Sequence, residues 1–205
     1  MNGKFITIEG GEGVGKSSNI AHIKCVIEKR GIPVIVTREP GGTLIGEKIR
    51  TLLIDPENLN LHANTELLLM FAARTQHLEE KIIPHLNKGS WVICDRFTDA
   101  TYAYQGGGRG LDMHKISILE QWVHANIQPD MTLLLDLDVA TGLSRAKKRS
   151  AADRFEQENI EFFNKVRNTY LSLAQQHSQR YRIIDASPQM GDVQKSIEHA
   201  IEGLF

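Results

Sequence analysis

The order of apolar runs in this chain predicts an α/β fold, a parallel sheet covered by helices on both faces. Three observations carry that prediction. Five short apolar runs alternate with stretches whose apolar residues recur at helical spacing. The first run passes into a helix through Gly10-Gly11-Glu12-Gly13-Val14-Gly15-Lys16-Ser17, the spacing of a phosphate-binding loop. Polar groups stand at the carboxyl ends of the runs, where such a sheet holds its ligand. With 205 residues and no composition shift or linker, the expected organisation is a single domain over 1–205.

The elements follow in order. Lys4 to Glu9 is a short buried strand, and the helix from Ser18 through Ile27 lies behind the glycine-rich turn. Pro33 to Thr37 is a second strand, ending in Arg38-Glu39-Pro40-Gly41-Gly42. Thr43 caps a helix through Leu53, which Asp55-Pro56 closes. Asn64 or Thr65 opens a long helix that ends near Asn87-Lys88-Gly89. Trp91 to Cys94 is the third strand, closed by Asp95-Arg96. A loop with Gly106-Gly107-Gly108 leads to a helix over 113–125, and those glycines fit a close-approach or hinge segment. Met131 to Asp136 is the fourth strand and Tyr181 to Asp185 the fifth. Asp192 is expected to cap the final helix. Cys25, Cys94 and Trp91 read as core, and Trp122 as a helix-packing residue.

Composition narrows the function. A formal net charge of -1 argues against a protein that coats nucleic acid. The two cysteines and eight scattered histidines offer no disulfide framework and no metal spacing. Neither a leader-like segment nor a long apolar span precedes the first strand, so the expectation is a soluble, cytoplasmic protein without a membrane partner.

The glycine loop carries the chemistry. Its backbone N–H groups and the helix N-terminus suit phosphate oxygens. Lys16 is placed for the β- and γ-phosphates, and Ser17 for Mg²⁺, with Ser18 in the same nucleotide-binding stretch. The expected ligand is a nucleoside triphosphate, ATP with Mg²⁺. Asp95 ends an apolar strand as a metal-holding acid does, and Asp136 and Asp138 compete for that role; Arg96 beside Asp95 favours the first. The cations Arg145, Lys147, Lys148, Arg149 and Arg154 read either as a solvated helix face or as a lid over about 142–154 that covers a transferred phosphoryl group. Glu12 is unfavourable beside polyanions unless it points away from them, toward an acceptor sugar; the alternative is a solvent-facing side chain.

Taken together, these motifs resemble the thymidylate kinase family. The resemblance rests on the glycine loop with its acid at Glu12, Thr37-Arg38-Glu39-Pro40-Gly41-Gly42, Asp95-Arg96-Phe97, Ala103-Tyr104-Gln105-Gly106 and Asp153-Arg154-Phe155-Glu156, and runs nearly end to end. It implies a P-loop nucleoside monophosphate kinase fold with a five-stranded parallel sheet, commonly as a homodimer. The implied reaction moves the γ-phosphoryl group of ATP to dTMP. By resemblance Arg96 grips the acceptor phosphate, with Arg50 a further candidate, and Arg74 meets the thymine edge. Tyr104 lies below the sugar, Thr101 and Gln105 line the base, and Glu39 and Pro40 belong to the same acceptor site.

One departure is visible. The family carries a phenylalanine one helical turn before the arginine, but here Met70 holds that place and Phe71 follows. Residues four apart share a helix face, so Met70 lies over Arg74 while Phe71 is turned by about 100°. Either the thioether replaces the ring, or a local shift of the helix brings Phe71 in. Gly13-Val14 offers no cation, which by resemblance places the catalytic arginine in the lid, at Arg149 with Arg154 close behind. A kinase for another nucleoside monophosphate or a nucleoside is the near rival. A regulatory P-loop ATPase is the distant one; it predicts an Asn-Lys-x-Asp segment, and Asn87-Lys88-Gly89-Ser90 lacks the acid.

Overall fold

Strands β1 (Phe5–Glu9), β2 (Val34–Arg38), β3 (Trp91–Asp95), β4 (Met131–Asp136) and β5 (Tyr181–Asp185) form one sheet. Their order is β2-β3-β1-β4-β5, and every pairing is parallel. The computed structural model of the chain describes residues 3–124, 126–147 and 153–205. The connecting helices are α1 (Lys16–Lys29), α2 (Leu44–Ile54), α3 (Ala63–His77), α4 (Ile83–Asn87), α5 (Thr98–Thr101), α6 (Met113–His124), α7 (Val139–Lys147), α8 (Ile160–Gln176) and α9 (Met190–Ile201). Among the described residues no helix is long and apolar enough to cross a membrane.

Strand pleating sorts the core. Ile6 and Ile8 of β1 point to one face, where Ile23 and Ile27 of α1 and Val193, Ile197 and Ile201 of α9 bury them. Phe5 points to the other, against Leu78, Ile82, Val92 and Cys94. Each such isoleucine, fully withdrawn from water, contributes roughly 1.5–3 kcal/mol relative to an exposed one. Because both faces are covered, every residue of β1 is buried, the polar Thr7 and Glu9 included. The chain leaves β1 toward β2 and β3 on one side, then returns to β4 and β5 on the other. A crevice therefore opens beyond the carboxyl end of β1.

Several expectations need correction. The long helix starts at Ala63, with the His62 ring accepting from the Asn64 amide at 3.2 Å, so the cap precedes Asn64 and Thr65. It then widens into a π-helical stretch at Leu78–Ile82 before continuing as α4. Asp192 lies inside the first turn of α9, which begins after Gln189 with no side-chain cap. Cys25 is exposed, on the solvent side of α1, whereas Cys94 and Trp91 are buried. Trp122 is 80% exposed and packs nothing. Periodicity alone put these residues on apolar faces; the sheet covers only one face of α1, and α3 with the Tyr102–Gly108 segment only one face of α6.

The glycine run behaves as a close-approach segment. Tyr102–Gly108 is π-helical and packs on α8. A Cβ at Gly107 would overlap the Thr169 hydroxyl, and one at Gly108 would overlap the Phe162 ring.

Candidate active site

A cavity of about 600 Å³ opens at the crevice, within the range of small-molecule sites. One wall is the glycine loop from Glu12 to Ser18. Gly13 adopts φ 68°, and a Cβ there would overlap the Gly142 carbonyl, so only glycine fits. Gly15 caps α1 in the left-handed region with no side-chain hydrogen bond. The first amides of α1 are thus left for an anion. Gly10 and Gly11 lie behind the cavity wall, and their carbonyls accept from Lys16 Nζ at 3.3 and 2.9 Å. Burial, and then the Arg96 charge, lowers the Lys16 pKa.

Of the three strand-end acids, only Asp95 faces this cavity. Its Oδ1 is buried without a hydrogen-bond partner among the described residues. Asp136 is instead engaged two-on-two by Arg167 at 2.7 and 2.9 Å. Asp138 caps α7 through the Thr141 amide and hydroxyl, both at 2.9 Å. Among the described residues no group of three or more His, Cys, Asp or Glu side chains could hold a metal. The set present, one carboxylate and the Ser17 hydroxyl, fits Mg²⁺ arriving on phosphates, which needs only one or two protein oxygens.

Arg96 sits at φ 67°, rare for a residue with a side chain. Its neighbours hold it there: the Arg96 amide donates to Ile8 O at 3.0 Å, and the Phe97 amide to Glu9 Oε1 at 2.7 Å. The strained turn sends the guanidinium over the Tyr104 ring, 4.7 Å from its centroid. Arg96 Nη2 donates to Glu12 Oε1 at 2.6 Å, and the Tyr104 hydroxyl to the same oxygen at 2.8 Å. Glu12 therefore points toward Arg96 and Tyr104. Arg96 Nη1 has no hydrogen-bond partner among the described residues.

The far wall is built around Arg74, 2% exposed. Its Nε donates to Glu39 Oε2 at 2.7 Å, and its Nη2 to Thr101 Oγ1 at 2.9 Å and Phe97 O at 3.3 Å. Burial pushes the Glu39 carboxyl up, but the Arg74 charge and the His77 hydrogen bond outweigh it and the pKa is lowered. Pro40, Thr101 and Gln105 line the same space, as does Arg50, whose Nη1 donates to Pro40 O at 2.9 Å.

Met70 lines the cavity and Phe71 does not. Phe71 is corrected to a core residue: it packs with Leu67 and Ile116, its ring 4.7 Å from Cζ of Arg74. The helix is regular to His77 and widens only beyond it, so the four-residue face rule holds and no shift brings the ring in.

Arg154 needs a second correction. It is buried outside the cavity lining, with Nη2 donating to Glu66 Oε2 at 2.6 Å and Nε to Leu53 O at 2.7 Å. The carboxylate of Glu66, wholly buried on α3, also accepts from Gln105, and it draws the arginine inward. Arg149, with the rest of 148–152, lies outside the described residues. Lining residues given no site role from sequence are Arg38, Ile54, Phe97, Ala100, Ala146, Asp153, Phe155 and Glu156, and Arg145, one of the expected lid cations, joins them. Arg38, Phe97 and Phe155 each neighbour a flagged residue, so adjacency was the available signal; Ile54 and Ala100 had none.

Known proteins agree with this geometry. The sequence model of one family, described as "Thymidylate kinase", matches residues 8–197. A thymidylate kinase from Pseudomonas syringae pv. tomato is 52% identical over 205 residues, covering 100% of this chain and 98% of the relative. One from Nitrosospira multiformis is 49% identical over 205 residues, covering 100% of each. The crystal structure of thymidylate kinase from Ehrlichia chaffeensis has a TM-score of 0.82 and 30% identity, covering 98% of this chain and 100% of that one. With the match spanning both the phosphate cradle and the acceptor wall, the chain belongs to the thymidylate kinase family.

Proposed function

We propose that this site transfers the γ-phosphoryl group of ATP to the 5′-phosphate of dTMP, giving dTDP and ADP. The observation that carries it is the set of polar atoms without a hydrogen-bond partner among the described residues, on residues around one cavity: Nη1 of Arg96, Nη1 of Arg74 and Oδ1 of Asp95. Buried polar groups without partners are rare, and here two cationic donors and one anionic acceptor line the space of a nucleotide.

The glycine loop takes the ATP phosphates, and Lys16 exchanges its two carbonyl partners for phosphate oxygens. Ser17 and Asp95 would hold Mg²⁺, whose charge offsets that of the phosphates when bound. Arg96 presents Nη1 to the acceptor phosphate and is braced by Glu12 and Tyr104. A phosphate oxygen is already nucleophilic at neutral pH, so the residues need only align and neutralise. Arg149 is assigned, by resemblance, to charge developing on the transferred group. Arg74 donates to the carbonyl edge of thymine, with Met70 on its face and Thr101 and Gln105 around it. We further propose one domain over 1–205 acting as a cytoplasmic homodimer, the pairing resting on family resemblance.

A coupled ADP-release assay across nucleoside monophosphates tests this reading. Turnover with dTMP well above that with dCMP, dGMP and dAMP is expected. Equal turnover, or ADP release without acceptor, would overturn it.

A further inference from the structure

Arg74 is fixed from every side, and one of its restraints comes from a residue outside the cavity lining. His77, wholly buried, places Nδ1 2.9 Å from Glu39 Oε1. A carboxylate only accepts, so Nδ1 is the donor. The other ring nitrogen, Nε2, is 2.6 Å from the Thr37 hydroxyl. A Cβ at Gly42 would sit 2.5 Å from Nε2 and 2.7 Å from Thr37 Oγ1, so the turn after β2 closes over the ring.

This matters because the Nε–Nη2 edge of a guanidinium matches a carboxylate two-on-two. Glu39 uses one oxygen on that edge, at Nε, since His77 occupies the other. Nη2 is thereby released to Thr101 and Phe97 O, while the rings of Phe71 and Phe97 lie 4.7 and 5.2 Å from Cζ. Only Nη1 remains without a partner among the described residues.

We infer that His77 is a positioning residue for base recognition: by occupying Glu39 Oε1 it keeps the Glu39–Arg74 pair one-on-one and aims Arg74 Nη1 at the base. The inference rests on the reading above that Arg74 meets the base. Without the Nδ1 donor, Glu39 takes both Nε and Nη2, the guanidinium turns, and Thr101 loses its partner.

Two polar substitutions separate positioning from general packing. In H77N the amide nitrogen stands where Nδ1 stood; in H77Q it stands near Nε2. H77Q is expected to raise KM for dTMP roughly five- to tenfold, the size of one lost hydrogen bond, while H77N stays within about twofold of wild type. The kcat and the KM for ATP should hold within about twofold in both, as for an interaction confined to acceptor binding. In an R74K background, H77Q should have no further effect on KM for dTMP. Equal KM values for H77N and H77Q, or parallel changes in kcat, both KM values and melting temperature, would overturn the role of His77. If R74K itself leaves KM for dTMP unchanged, the base contact fails, and the proposal with it.

Discussion

The proposed phosphate end of the cavity and its proposed base end are held by different kinds of bond. At the phosphate end one continuous stretch, Glu12 to Ser18, turns backbone amides and a helix terminus toward the ligand. At the base end Glu39, Arg74, Phe97 and Thr101 arrive from separate elements and fix one another through side chains. A backbone cradle depends on glycine and on little else. A side-chain lattice depends on each partner, so a change at one member reaches the ligand through the others.

That contrast yields graded tests. Lys16→Ala removes the cation assigned to the ATP phosphates, and should cut kcat/KM on the order of 10²- to 10³-fold. Among the described residues Lys16 Nζ hydrogen-bonds only to carbonyls, so the melting temperature should barely move. Near-wild-type turnover would remove the phosphate assignment.

The two arginines expected of the lid from sequence should divide in the same manner. Arg149→Ala is expected to lower kcat on the order of 10²-fold with little change in KM for either substrate. Arg154→Ala should act on stability instead, by about 3 kcal/mol, because it leaves the Glu66 carboxylate buried with one partner fewer. Thermal melts alongside kinetics distinguish them, and reversed results would return Arg154 to the reaction.

Glu12 sits where the two ends meet. Glu12→Gln should weaken dTMP by about 1–3 kcal/mol, the range for a hydrogen bond to a charged group, and ATP less. Isothermal titration with each ligand reads this directly, and a larger loss for ATP would assign Glu12 to the loop.

The effect that pH controls lies beneath both ends. Burial, then the Asp99 charge, pushes Glu9 from 4.5 up to about 8. The folded chain then holds a proton that the unfolded chain releases, so this group's stability contribution is full below about 4.5 and falls away toward about 8. Relative to wild type, Glu9→Gln should gain melting temperature as pH rises through that window and level off above it. A constant difference from pH 5 to pH 8 would show that Glu9 titrates normally.

How much was legible in the sequence follows from the same contrast. The strands and the glycine loop are local patterns, and β4 and β5 begin and end at the expected residues. The face rule set Met70 over Arg74 but left Met70 and Phe71 both open; the structure lines the cavity with Met70. Arg154 was not legible, because Glu66 stands 88 positions away and nothing local reports the pairing. His77 reads as one histidine among eight until Glu39, 38 positions back, is beside it. Cys25 and Trp122 show the complement: apolar residues at helical spacing whose facing layer is missing.

The central place of β1 has a consequence for synthesis. Its neighbours are distant in sequence: the Thr7–Thr132 contact spans 125 positions, and Glu9 meets Phe97 across 88. At roughly 5–20 residues per second, β1 leaves the ribosome many seconds before either flanking strand exists. Its backbone groups stay unpaired throughout, and long-range parallel pairing is slow to follow. The glycine loop is thus translated well before the strands that flank β1, and a nascent chain short of β4 lacks one of the two strands that hold β1 in place.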